Sequence, residues 1–123
     1  MPKKLNRTTA GLNQIRPIKV LQFGDGNFLR GFVDWMIDIL NEKTDFNGDV
    51  QVIRPLRKGR LPVPDEQDGL YHVQIRGLQH GKIISENRLI TCVAGAINPY
   101  TDFQEFLQSV ENPDLRFIVS NTT

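Results

Sequence analysis

The residues of this chain best suited to chemistry stand where an apolar run meets an apolar helical pattern: Phe23-Gly24-Asp25-Gly26-Asn27-Phe28-Leu29-Arg30-Gly31. A Gly-x-Gly pair in this setting suits phosphate binding. Gly24 lets the chain leave a strand through a turn whose dihedrals other residues resist. Gly26 has no Cβ, so a pyrophosphate can approach the backbone. A helix starting near Asn27 aims its N–H groups and positive dipole end at the phosphates. The usual third glycine falls at Leu29 and is missing; Gly31, two residues on, is the nearest glycine and can still serve close helix–strand packing. The competing account is an ordinary strand–turn–helix connection whose glycines serve geometry alone.

A second group follows the next apolar run. In nicotinamide-dinucleotide folds an acidic residue often ends the second strand and holds the adenosine ribose hydroxyls. Here Arg54 takes that place, followed by Pro55, and Arg57, Lys58 and Arg60 are close behind. These cations suit a ribose 2′-phosphate, which favours NADP; the alternative is a solvated basic loop. His72 and His80 stand alone, with no second metal ligand at a useful spacing. No histidine, lysine or carboxylate stands out as a positioned acid or base, so the expectation is no catalytic residue and no metal site in this chain.

The elements that must position these groups are readable in order. Residues 1–16 are polar and read as a flexible N-terminal arm. Ile18 to Phe23 predicts a strand. Phe28 to Leu40 predicts a helix apolar over more than half its circumference, buried against a sheet and something else as well. Its polar strip is Arg30, Asp34 and Asp38, with Arg30 placed to pair with Asp34 and Asn27 as N-cap. Val50 to Ile53 predicts the second strand after the Asn47-Gly48 turn. Residues 55–69 read as a surface loop. Tyr71, Val73 and Ile75 alternate with polar residues, and with Ile83 and Ile84 predict a β-hairpin turning at 77–82. Arg88 to Val93 reads as another short strand. Thr101 and Gln104 match a capping box ahead of a helix burying Phe103, Phe106, Leu107 and Val110, which Asn112-Pro113 stops. Leu115 to Val119 suits an interior strand of a parallel sheet.

Composition narrows the rest. The chain has 123 residues, 39% hydrophobic, with 15 basic and 14 acidic residues for a formal charge of +1, which exerts no general pull toward nucleic acid or membrane. Its single cysteine, Cys92, excludes an internal disulfide and fits a reducing compartment as a buried small residue. The basic N-terminus lacks the apolar segment of a signal peptide, and no stretch is long enough to span a membrane. The expected setting is the cytoplasm.

At Gln22 to Trp35 the chain resembles the opening of the tagaturonate reductases (altronate oxidoreductases), a branch of the mannitol dehydrogenase family of long-chain polyol dehydrogenases. The resemblance continues at Val52-Ile53-Arg54-Pro55, Gln67 to Tyr71, Ile75-Arg76-Gly77 and Asn112 to Thr123. Asp25 and Gly31 depart mildly from the family's glutamate and alanine, which marks Gly31 as a small packing residue. The resemblance implies an α/β, Rossmann-like NAD-binding fold: a parallel sheet with an inserted β-hairpin, incomplete in this chain. Residues 17–123 are then the N-terminal part of the dinucleotide-binding domain, with the catalytic domain absent.

The implied activity is NAD-linked interconversion of D-altronate and D-tagaturonate, a small sugar-acid substrate engaged by the later domain. The implied cofactor segment is Val20 to Gly31, with Asn121 and Thr122 near the nicotinamide half. Because Arg54-Pro55 matches the family, Arg54 need not mean NADP. The family's catalytic lysine, asparagine and histidine have no match here. Rival readings are a fructuronate (mannonate) or mannitol dehydrogenase, a stand-alone nucleotide-binding module without catalysis, and a basic-loop interaction module. Oligomeric state is not legible.

Overall fold

The computed structural model describes residues 10–11, 16–24, 26–54 and 70–121. Four strands form a parallel sheet: β1 (Ile18–Phe23), β2 (Asp49–Ile53), β5 (Val93–Ile97) and β6 (Phe117–Ser120). Their spatial order is β5-β2-β1-β6. The chain therefore builds outward from β1 to one side, then returns to β1's other edge, and that reversal is a topological switch point.

β1 sits centrally and is buried on both faces, as parallel strands covered on each side are. Val20 and Leu21 are both fully buried. Val20, Val50, Val52 and Val93 pack with Ile37 of helix α1 (Asp34–Lys43) and with Tyr71, Ile90 and Cys92. Leu21, Ile53 and Ile97 form the opposite layer with Phe23, Leu115 and Phe106 of α2 (Phe103–Val110). One helix on each face makes the fold α/β and Rossmann-like.

The expected hairpin is present as β3 (Tyr71–Gln79) and β4 (Lys82–Ile90). Its two turn residues, His80 and Gly81, have φ of 53° and 78°. That pair of left-handed residues matches the right-handed twist of the flanking strands. At the other end of the hairpin, Tyr71 and Ile90 pair and are buried. Arg88 to Val93 is not one strand: Arg88 to Ile90 finish β4, and Val93 opens β5. The break has a polar cause. The Thr91 N–H and hydroxyl donate to Asp38 Oδ1 at 2.8 and 3.0 Å, and Cys92 O accepts from Val50 N at 2.7 Å, starting the new ladder.

Other expectations need correction. The helix after β1 opens with a π-helical turn, Leu29–Val33, in which Asp34 N donates to Leu29 O. Its polar strip faces inward. Asp34 and Asp38 are buried, while Phe28, Phe32, Met36 and Leu40 lie on the exposed face. Asp38 accepts from Arg88 Nε at 2.8 Å, and Arg88 also reaches Glu42 at 2.8 Å, so this strip clamps α1 to β4. The cap of α2 is Asp102, whose Oδ1 accepts from Glu105 N at 3.0 Å, one residue beyond the expected capping box. No residue of α2 is fully buried; Phe106 is half-buried and Phe103, Leu107 and Val110 are exposed. β6 is an edge of the described sheet, and Phe117 and Ile118 are exposed there.

Most of the expected arm lies outside the described residues, as does the 55–69 loop. Arg16, the last residue assigned to the arm, is held by Asp49 at 3.1 Å. Among the described residues no helix is long and apolar enough to cross a membrane.

Candidate functional site

All four parallel strands end on one edge, and the residues just beyond them are Gly24, Arg54, Asn98 and Asn121. Backbone bonds extend the sheet there. Gly24 N donates to Ile53 O, and Arg54 N to Ile97 O, both at 2.9 Å. Phe23 is in register with Ser120, so the glycine turn and Asn121 leave neighbouring strands side by side. The fold thus brings together the Gly24 turn, Arg54 and Asn121 at the switch point, where ligands bind in open α/β sheets. Asp25 and Thr122 lie outside the described residues.

The two glycines differ physically. Gly24 has φ of +111°, a region that side chains rarely adopt, and a Cβ there would sit 3.4 Å from Leu29 Cδ1. Its backbone demands glycine. Gly26 is not in the left-handed region, and no described atom lies within 4 Å of where its Cβ would be. Neither backbone conformation nor packing against the described residues requires glycine at Gly26.

The helical turn starts here, with Arg30 N donating to Gly26 O at 3.0 Å. The amides ahead of Arg30 have no acceptor within the helix and can face an anion. Asn27 does not serve as the expected N-cap. Its Oδ1 accepts from Arg30 Nη2 at 2.6 Å, and the residue preceding the π-turn, Phe28, is helical and makes no side-chain cap bond. Phe28 is exposed beside Phe32, ring centroids 5.3 Å apart. The Leu29 side chain is buried beneath the turn, so only its backbone can meet a ligand. Phe23 packs edge-on against Phe106 at 6.2 Å and serves the core. Gly31 is exposed, and no described atom lies within 4 Å of its Cβ position, so it packs against none of the described residues there.

Sequence reasoning missed the support under the turn. Gln22, fully buried, donates through Nε2 to Gly24 O at 3.0 Å and to Asp34 Oδ2 at 3.2 Å. Tyr71 Oη shares its single proton between Asp34 Oδ2 at 3.1 Å and Arg30 O at 3.0 Å. The Arg30 guanidinium lies 5.6 Å from the Tyr71 ring centre. Burial, then the Asp34 charge, pushes the Tyr71 phenol well above its ordinary value, which keeps it a donor. Burial likewise raises the Cys92 thiol, whose Sγ lies 3.2 Å from Asp34 O. The one available signal was a glutamine on the central strand two residues before a glycine turn. A polar side chain there must find a partner inside the protein.

His72 lies on the exposed side of β3 and His80 in the hairpin turn. Among the described residues, no three His, Cys, Asp or Glu side chains are grouped to hold a metal ion.

No protein-family model matches the chain. Its sequence is 47% identical over 121 residues to the altronate oxidoreductases of Phocaeicola vulgatus and Bacteroides thetaiotaomicron, spanning 98% of this chain and 25% of each relative. Against the altronate oxidoreductase of Cronobacter sakazakii it is 50% identical over 108 residues, spanning 87% of the chain and 22% of the relative. The chain therefore spans about a quarter of the length of these curated relatives. In fold it resembles Pseudomonas fluorescens mannitol 2-dehydrogenase, solved as a ternary complex with NAD and D-mannitol: TM-score 0.71, 17% identity, covering 86% of this chain and 22% of that one. A substrate-free D-sorbitol dehydrogenase gives a TM-score of 0.72 at 20% identity, covering 95% of this chain and 26% of that one. In sequence, then, the chain is a relative of the altronate oxidoreductases and matches their N-terminal quarter.

Proposed function

We propose that this chain supplies the NAD-binding part of a longer oxidoreductase that interconverts D-altronate and D-tagaturonate. The observation that carries the reading is Gly26: glycine where neither dihedrals nor described packing ask for it, at the switch point and at the start of a helix. A dinucleotide pyrophosphate lying against that backbone accounts for the missing Cβ. Gly24 to Gly31 would hold the pyrophosphate, Arg54 would stand beside the adenosine ribose, and Asn121 and Thr122 would lie toward the nicotinamide. Bound NAD would supply the hydride chemistry. This chain's residues bind and orient; proton transfer falls to residues outside 1–123. NAD is preferred over NADP because Arg54-Pro55 belongs to the resemblance. Residues 17–123 form one domain part in this reading, and the cytoplasm is its setting, since a lone buried cysteine suits a reducing compartment.

The test starts with the gene past Thr123. The complete product should reduce tagaturonate with NADH, and oxidise altronate in preference to mannonate and mannitol. A gene ending close to Thr123, or a complete product that turns over mannonate or mannitol instead, overturns the proposal.

A further inference from the structure

We infer that Tyr71, acting through Asp34 and Gln22, is a positioning residue for the glycine turn, so that the base of the β3–β4 hairpin sets the affinity of the dinucleotide site. This rests on the reading that the turn holds the dinucleotide. Three buried side chains from three elements meet beneath it: Gln22 of β1, Asp34 at the junction of the π-turn and α1, and Tyr71 of β3. Both N–H groups of the Gln22 amide have acceptors, one on the turn itself at Gly24 O and one on Asp34. Asp34 Oδ2 thus takes a bond from each side, Gln22 at 3.2 Å and Tyr71 at 3.1 Å.

The Tyr71 hydroxyl also sits 3.0 Å from the Arg30 carbonyl, inside the π-helical turn. A side chain that inserts into the i→i−4 ladder distorts the helix at that point. With Asp34 N drawn to Leu29 O, the turn departs from the α-helical pattern where the hydroxyl enters. The widened turn directly follows the amides of Asn27 and Phe28, and its first residue is Leu29. The Tyr71 hydroxyl therefore bears on both sides of the phosphate approach: on Gly24 through Asp34 and Gln22, and on the helix start through Arg30.

Substituting Tyr71→Phe in the complete gene product removes one oxygen and keeps the ring over Arg30 and the core. The expected result is a rise of about tenfold in Kd and KM for NADH, with kcat at saturating NADH held within about twofold, the signature of lost uniform binding. Gln22→Met, which removes both amide bonds at similar volume, should raise Kd comparably. The double variant should be less than additive, because both act on one unit. An unchanged Kd in Tyr71→Phe, even with a lower Tm, reduces the network to plain fold stability and overturns the inference. So does a fall in kcat at unchanged KM. Failure of the wild-type protein to bind NADH is a different result: it removes the dinucleotide reading, and the inference with it.

Discussion

Replacing Gly26 with alanine separates a glycine kept for the fold from one kept for a ligand. Without ligand the substitution meets no obstacle, because no described atom lies within 4 Å of the new Cβ and the backbone is not left-handed. Restricting the unfolded chain then makes the variant neutral or more stable by about 0.4–1 kcal/mol. With ligand the sign reverses. A phosphate oxygen bonded to a backbone amide sits about 2.9 Å from nitrogen, whereas carbon contacts need about 3.5 Å. The methyl group displaces the oxygen and weakens one or two charge-assisted bonds, each worth ~1.5–3 kcal/mol. For one bond, Kd for NADH rises about ten- to a hundredfold. Gly24→Ala is the control with the opposite profile. Its φ of +111° should cost ~1–3 kcal/mol of folding free energy and lower Tm by several degrees. The assay is quenching of protein fluorescence by NADH, alongside thermal melts without cofactor. A folded Gly26→Ala protein that binds NADH as tightly as the wild type would refute the placement of phosphates over this turn.

Three further outcomes are expected. Arg54→Asp should shift the preference between NADH and NADPH further toward NADH, read as the ratio of kcat/KM values; an unchanged ratio returns Arg54 to a solvated basic loop. Asp38→Ala should destabilise the fold by about 3 kcal/mol, measured by urea unfolding, because it leaves the largely buried Arg88 and the Thr91 amide without their carboxylate. A loss below about 1 kcal/mol would show that water replaces the carboxylate at no great cost. The Arg88 hydrogen bond and charge hold the Glu42 carboxyl below 4.5 in the folded state. Its stabilising contribution is therefore complete above 4.5 and lost as pH falls below that value. Glu42→Gln should flatten the acid limb of the stability profile, modestly because Glu42 is exposed.

Local chemistry alone determined much of this protein. Runs such as Ile18 to Phe23 and Val50 to Ile53 read as buried strands, and the alternation through Tyr71, Val73 and Ile75 as a half-buried one. The Gly24-x-Gly26 step between strand and helix marked the candidate site without any coordinates. The strand readings succeed because period and turn preference are properties of a few neighbouring residues. Tertiary structure decided the rest. The helix after β1 is apolar over so much of its surface that its period does not say which side turns inward. The sheet and hairpin supply Arg88 and Thr91 as partners for Asp38, and Gln22 and Tyr71 as partners for Asp34, so the acidic strip is buried and Phe28, Phe32, Met36 and Leu40 face out. The same demand for partners split Arg88 to Val93 between two sheets. The group beneath the glycine turn comes from Gln22, Asp34 and Tyr71, distant in the chain, and no local pattern could join them. A buried polar group must be satisfied by whatever the fold brings near it, and only the assembled fold decides which residues those are.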